Sequence, residues 1–432
     1  MASNHPRPPL PEGPYLVVGL ARSGQAAARL LVERGEEVIG ADAGAPEGAE
    51  RLRELGVEVN LDGDREELLE RVRCVVKSPG VPREAPAIRR ALTLGVPVIG
   101  ELELAWRLLP NRFVAVTGTN GKTTVAELLG RVWEEAGWPV AVAGNVGTPL
   151  ASLAGDLEAD ATVVCEASSF QLEDAVAFAP ECALLLNAAP DHLDRHRTFE
   201  EYLAAKLRVF ACQVSDDVAI VDRSDPVIAA VDVPGGARQI DVDRADLPFE
   251  PAGEWIIGPH NAANARFAAV AALAMGLEPA AVERGIATFA GVPHRLERVA
   301  EVDGVTYVND SKATNVAAAA AALRSFAGGV HAILGGSLKG EDFAGLADPV
   351  AERCVAAYVT GPAAEKIAAA LAGAGVPLHR AADLADATNA AAGAAQPGEV
   401  VLLAPACASF DAYPDYEARG EHFRALVVEL AR

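Results

Sequence analysis

The 432-residue chain is predicted to be an α/β protein of three domains. Three observations predict this. Short apolar, β-branched runs alternate with longer Ala/Leu-rich stretches from end to end, the pattern of parallel sheets covered by helices. Glycine-rich turns follow two of the apolar runs, as at nucleotide sites. The length allows two to four domains at roughly 100–200 residues each. Strands are expected at 15–20, 37–41, 74–77, 113–117, 162–166, 182–187, 305–309, 330–334, 356–360 and 400–404. A Rossmann-like first domain runs over 1–109, where Leu-Pro-Asn-Arg interrupts the pattern. A central P-loop ATPase-type domain follows over 110–298. A Rossmann-like third domain covers 299–432 and opens with a strand pair around 301–308. The alanine run Ala317–Ala322 is expected to be a helix packed closely on a sheet.

Composition narrows the function. Hydrophobic residues make up 51% and charged residues 22%, an ordinary globular balance. With 37 basic and 60 acidic side chains, the formal charge is −23. Such a surface disfavours nucleic acid and anionic lipid, so no nucleic-acid partner is expected. An anionic ligand needs its own local positive charge. The six cysteines form no CxxC pair, which reads as a reduced, cytoplasmic protein without a zinc site. The Pro-rich start lacks signal-peptide order, and no apolar run reaches about 18 residues, so no membrane insertion is expected. Only six of the 37 basic residues are lysines: 77, 122, 206, 312, 339 and 366. A chain that makes its positive charge with Arg keeps Lys where Arg cannot serve.

The strongest local signal is Thr117-Gly118-Thr119-Asn120-Gly121-Lys122-Thr123-Thr124, between an expected strand and a helical stretch. Glycines let backbone N–H groups face a polyphosphate, and the helix N-terminus adds partial positive charge. Lys122 would reach the β/γ-phosphates and Thr123 would ligate Mg²⁺. The strict pattern has glycine five residues before Gly121, where Val116 stands. A plain glycine-rich turn with a surface lysine is the alternative. The motif resembles the ATP site of the Mur ligases, which make amide bonds in peptidoglycan precursors.

Glu166 closes an expected strand downstream of this loop, a natural place for a Mg²⁺ ligand or for a helix-capping acid. His192, in Asp191-His192-Leu193-Asp194, follows the next strand and could ligate a metal or position a carboxylate. Lys206 lies on a helical stretch and by itself reads as an amphipathic surface lysine. The resemblance implies that this amine is carbamylated and binds a second Mg²⁺, chemistry closed to arginine. Two Mg²⁺ ions would offset the charge of ATP plus a carboxylate. Asn261 and Asn264 open another helix; capping explains them, and the resemblance puts them near adenine. It also gives Arg295, in Pro293-His294-Arg295-Leu296-Glu297, a phosphate and Asp310 the ribose.

NDSKATN (309–315), GGSLKG (335–340) and PACASFD (405–411) each follow an expected strand, so all fall on one rim of the third sheet. Lys312 there could stabilise a transferring phosphoryl group. These motifs, with SSFQLE, DHLD and PHRLE, resemble the D-glutamate-adding branch of the family, and the DNPR signature of the diamino-acid-adding branch is absent. The resemblance implies that Thr314, Lys339, Ser409 and Tyr416 hold D-glutamate. It makes Lys122, His192, Lys206 and Lys312 the catalytic set and Thr123, Glu166, His192 and carbamylated Lys206 the metal set.

In the first domain, the turn at Gly19, Ala21, Arg22 and Ser23, with Asp42 ending the next strand, taken alone suggests an NAD-type fingerprint. Ala21 replaces the middle glycine. The resemblance gives this turn, the wall Ser78-Pro79-Gly80, and Asn145 to the UDP of UDP-N-acetylmuramoyl-L-alanine. A monomer is expected. A sibling ligase for another amino acid, a nicotinamide oxidoreductase and a nucleotide-dependent binding protein are the rivals.

Overall fold

The computed structural model describes residues 3, 5–61, 63, 66–338, 340 and 342–431. Among the described residues there are three α/β sheets. The chain packs into two compact units, Met1–Pro251 with Asn264–Ile286, and Ala252–Ala263 with Ala287–Arg432.

The first unit holds two sheets. The first contains β1 (Tyr15–Val18), β2 (Val38–Asp42), β3 (Glu58–Leu61), β4 (Cys74–Lys77) and β5 (Val98–Gly100), all parallel in the order β3-β2-β1-β4-β5. Strand order reverses between β1 and β4, so ligands are expected beyond their carboxyl ends. The second contains β6 (Arg112–Thr117), β7 (Val140–Gly144), β8 (Thr162–Glu166), β9 (Cys182–Leu185), β10 (Val218–Val221) and β11 (Arg238–Asp241). Its order is β11-β10-β9-β6-β8-β7, again all parallel. Here β6 lies between β9 and β8, and the three strand ends open on one rim.

A shared core joins the two sheets. The helix Glu101–Leu108 leads into β6, and its Trp106 meets Phe178 edge-on at 5.8 Å, with Phe113 against the same ring. Glu103, fully buried on that helix, accepts the backbone N–H groups of Val176, Ala177 and Phe178 and pairs with Arg107. Its charge is therefore satisfied by several donors rather than stranded.

The second unit holds β12 (Glu297–Val302), β13 (Val305–Asn309), β14 (Val330–Gly335), β15 (Cys354–Thr360), β16 (Leu378–Arg380) and β17 (Val400–Leu403), in the order β12-β13-β17-β14-β15-β16. Only β12 and β13 are antiparallel. Their two-residue turn, Asp303-Gly304, has φ of 52° and 79°, the positive pair an Asp-Gly hairpin turn supplies. The alanine run forms the helix Val316–Arg324, started by Asn315, whose side chain accepts Ala318 N.

Six strands lie outside the expected set: β3, β5, β7, β10, β11 and β16. All but β10 are sheet edges. Among the described residues, no helix is long and apolar enough to cross a membrane.

Candidate functional site

The candidate phosphate loop joins β6 to the helix Lys122–Glu135. Gly121 precedes that helix at φ 86°, a left-handed value, and a Cβ there would lie 2.5 Å from Asn264 Oδ1. The helix's first turn carries no acidic side chain and receives no side-chain cap, so its N–H groups suit an anion. The loop is strapped to the segment after β9. Asn120 N donates to Asn187 Oδ1 at 2.9 Å, Thr119 N to Asn187 O at 3.1 Å, and Ala189 N to Thr119 Oγ1 at 3.0 Å. We expect Gly121→Ala to lose about 1–2 kcal/mol from the backbone strain alone. It should also raise KM for ATP several-fold, which thermal melts and ATP titration would check.

Two ammonium groups converge on one oxygen of this loop. Lys122 Nζ donates to Gly118 O and Thr119 O, both at 2.9 Å, and Lys206 Nζ donates to Gly118 O at 2.8 Å. Lys206 is buried, not on the surface as its helical setting alone suggests. Its helix, Phe199–Leu207, starts at Thr198, whose hydroxyl accepts Glu201 N and so fixes which face turns inward. Its ammonium lies 4.5 Å over the Tyr202 ring, whose hydroxyl is 3.0 Å from Thr119 Oγ1. Burial, with Lys122 next, lowers the Lys206 amine to about 7, while Asp191 and Glu166 pull the other way.

Glu166 ends β8, beside β6, and is buried; Asn145 Nδ2 donates to its Oε1 at 3.0 Å. Asn145 thus stands at the second sheet beside Glu166. His192 lies in the loop after β9 at φ 52°, half-exposed, with Nε2 3.4 Å from Asp191 Oδ2 and its ring 4.9 Å from Phe170. Among the described residues, no group of three His, Cys, Asp and Glu forms a metal cage. The oxygen donors Thr123 and Glu166 beside a phosphate loop suit Mg²⁺ held jointly with substrate phosphates. Sequence reasoning missed Tyr202 and Asn187. Tyr202 had a signal: it stands four residues before Lys206, on the same helix face.

The first sheet carries its own candidate residues. Gly19 N donates to Ala41 O, Asp42 accepts Leu20 N and Gly44 N, and Ser78 Oγ donates to Gly19 O at 2.6 Å. Ala21, Arg22 and Ser23 open the helix Arg22–Glu33, and Pro79 and Gly80 follow β4. Asn264 belongs to the first unit and Asn261 to the second, where its Nδ2 donates to Trp255 O.

In the second unit, the three predicted motifs follow β13, β14 and β17, which are neighbours. Ser337 and Ala408 form a bridge between two of them. Arg419, buried, donates to Ser311 Oγ and O, holding the segment that bears Lys312 and Thr314. Lys312 Nζ lies 5.1 Å from the Tyr416 ring centre. Ser409 is buried, and Lys339 lies outside the described residues. Asp310 accepts Leu296 N, and burial raises its carboxyl to about 7 against the pull of that bond and of Arg295. A raised folded-state value means stability is lost as pH climbs from the unfolded value through about 7. Asp310→Asn should therefore raise Tm at pH 8 more than at pH 5 while lowering turnover; melts at both pH values with an ATPase assay test this.

Three family models match consecutive stretches: a MurD-like Mur ligase N-terminal domain at 14–100, a Mur ligase middle domain at 116–241, and a Mur ligase glutamate ligase domain at 294–407. Curated relatives align over nearly the whole length. The UDP-N-acetylmuramoylalanine–D-glutamate ligase of Acidobacterium capsulatum is 42% identical over 96% of this chain and 95% of its own. That of Pelotomaculum thermopropionicum is 41% identical over 96% and 98%. The chain belongs to the Mur ligase family. Solved structures agree on the fold of this Mur ligase. The UDP-N-acetylmuramate-alanine ligase MurC of Thermotoga maritima has a TM-score of 0.58 at 18% identity, covering 97% of this chain and 100% of that one. The MurF ligase of the same organism, in complex with ADP, has a TM-score of 0.59 at 17% identity, covering 92% and 95%. The middle-domain match covers the loop 117–124, Glu166 and the Lys206 helix, all in the part of this Mur ligase built on the second sheet.

Proposed function

We propose that this Mur ligase adds D-glutamate to UDP-N-acetylmuramoyl-L-alanine at the expense of ATP, in the cytoplasm and as a monomer. The observation that carries the chemistry is the convergence of Lys122 and Lys206 on Gly118 O beside the strand end that bears Glu166. The choice of amino acid is supported by relatives at about 40% identity that carry that name. Six free cysteines fit a reducing compartment.

The substrate carboxylate attacks the γ-phosphate of ATP, giving an acyl phosphate and ADP. Lys122 stabilises the charge that spreads over the transferring group, and Lys312 is assigned the same task from the third domain. The amine of D-glutamate then attacks the acyl carbon, a proton leaves, and the tetrahedral intermediate collapses to amide and phosphate. Thr123, Glu166, His192 and carbamylated Lys206 would hold Mg²⁺, which when bound neutralises the meeting anions and polarises the phosphoryl oxygens. Thr314, Lys339, Ser409 and Tyr416 are assigned to the D-glutamate carboxylates. Asn261, Asn264, Arg295 and Asp310 are assigned to the nucleoside end and phosphates of ATP.

The test mixes the protein, ATP, Mg²⁺ and the UDP-linked substrate with a panel of amino acids. A product heavier by one glutamate residue, formed with the D isomer alone, is the expected result. Turnover with another amino acid, ATP hydrolysis without product, or a hydride-transfer signal with nicotinamide would refute the proposal.

A further inference from the structure

Lys77 is one of six lysines, and no step above uses it. It ends β4 and is fully buried. Its ammonium lies 2.8 Å from Asp174 Oδ2 and 3.1 Å from Glu173 Oε1, and it donates to Val81 O at 2.8 Å. Both carboxylates directly follow the helical turn Ser169–Leu172. That turn is closed by a reciprocal cap between Ser168 and Gln171, two residues beyond Glu166. A buried ion pair adds little net stability because desolvation offsets the attraction, and here burial raises the Asp174 carboxyl against the pull of Lys77. Lys77 thus ties the wall Ser78–Val81 of the first sheet to the segment that carries Glu166.

Arg195 ties the same wall to the other side of the site. Its guanidinium lies 4.5 Å over the Phe170 ring. It also donates to Gly80 O at 3.3 Å and Val81 O at 3.4 Å. Val81 O therefore receives both Lys77 and Arg195. Arg197 pairs with Glu84 at 2.7 Å, and His196 Nε2 meets Ser169 Oγ at 2.9 Å. The loop between these contacts holds His192 and Arg197 at φ 52° and 60°. Left-handed backbone at non-glycine residues persists only where the surroundings over-determine it. Here those surroundings include the first-sheet wall.

We infer that Lys77 and Arg195 are positioning residues: they bind the wall Ser78–Val81 to the segments carrying Glu166 and His192, so that a uridine diphosphate seated on the wall sets the His192 loop. This rests on the functional reading above. The substrate is long, with its nucleotide end at the first sheet and its reacting carboxylate at the phosphate loop. Its reach is defined only if wall and phosphate site move as one body. A misplacement of about 1 Å at a reacting centre costs on the order of 100-fold in rate.

The experiment compares the wild-type chain with Arg195→Ala, Arg195→Lys and Lys77→Met. Carbon-13 labelled histidine reports on His192, assigned through His192→Gln. Adding the UDP-linked substrate without ATP should move the His192 signal in the wild type and leave it still in Arg195→Ala. Turnover in Arg195→Ala should fall by about 10- to 100-fold. KM for ATP should hold within about twofold, and Tm should not change. Arg195→Lys should restore part of the rate. Lys77→Met should show the same kinetic split with a lower Tm. Wild-type turnover in Arg195→Ala or Lys77→Met would overturn the inference. So would a His192 signal that still moves in Arg195→Ala, or that never moves in a wild type that binds the substrate. A wild type that fails to bind the UDP-linked substrate counts against the functional reading instead.

Discussion

Replacing Lys206 by arginine is expected to cut turnover by about 10²–10³, the size produced by losing one preorganised charge-stabilising group. The reason lies in what surrounds the amine. An ordinary lysine near 10.5 leaves roughly one amine in three thousand neutral at pH 7. Burial first, and Lys122 second, bring Lys206 to about 7. A substantial share of its amines is then neutral at pH 7. A neutral amine attacks carbon dioxide, forms a carbamate and releases a proton. Arginine keeps the positive charge and a similar reach but stays protonated. Its larger planar group must also fit where Lys206 meets Gly118 O at 2.8 Å. Steady-state assays in buffer stripped of carbon dioxide and then resupplied separate the two effects. The wild type should lose and regain activity, and Lys206→Arg should respond to neither change. Near-wild-type turnover in Lys206→Arg would defeat the carbamate reading.

Glu166→Gln is expected to give a loss of similar size, about 10²–10³, with a raised Mg²⁺ requirement. The substitution keeps volume and leaves an oxygen for Asn145 Nδ2, which donates to Oε1 at 3.0 Å. What it removes is one negative charge at the end of β8, next to the strand that feeds the phosphate loop. A hard cation held there would lose an oxygen ligand, while the fold keeps its packing. Titration with Mn²⁺ followed by electron paramagnetic resonance should show weaker binding in the variant. An unchanged Mn²⁺ affinity together with unchanged turnover would mean that Glu166 is only a partner of Asn145.

The carbonyl rims of the three sheets were legible because the chemistry follows strands buried on both faces. Such strands read as unbroken apolar runs, as in Val114–Val116, Val163–Cys165 and Val401–Leu403. A motif placed directly after such a run lands at the strand's carboxyl end. Most of the missed edges did not read this way. In β3, β11 and β16 the exposed faces carry Glu58, Arg238 and Arg380, and β5 has three residues. Water covers one side of an edge, so no apolar run is needed there. β7 and β10 differ: the edge strand β7 reads Val-Ala-Val-Ala-Gly and the Val-Ala-Ile-Val run of β10 is fully buried, so both carry the same apolar signal as the central strands.

By itself, the sequence determined the α/β class, the strand pair that opens the last sheet, and the glycine-rich turn between β6 and the helix that follows it. Each is encoded by neighbours within a dozen residues, through periodicity, glycine conformation or turn chemistry. Only the tertiary structure decided that Lys206 is buried and shares Gly118 O with Lys122, that Asn145 stands beside Glu166, and that Lys77 and Arg195 meet at Val81. Those facts join residues up to 118 positions apart, between Lys77 and Arg195. Burial and the charges that gather around a group depend on which segments the fold packs together, and no local pattern carries that information.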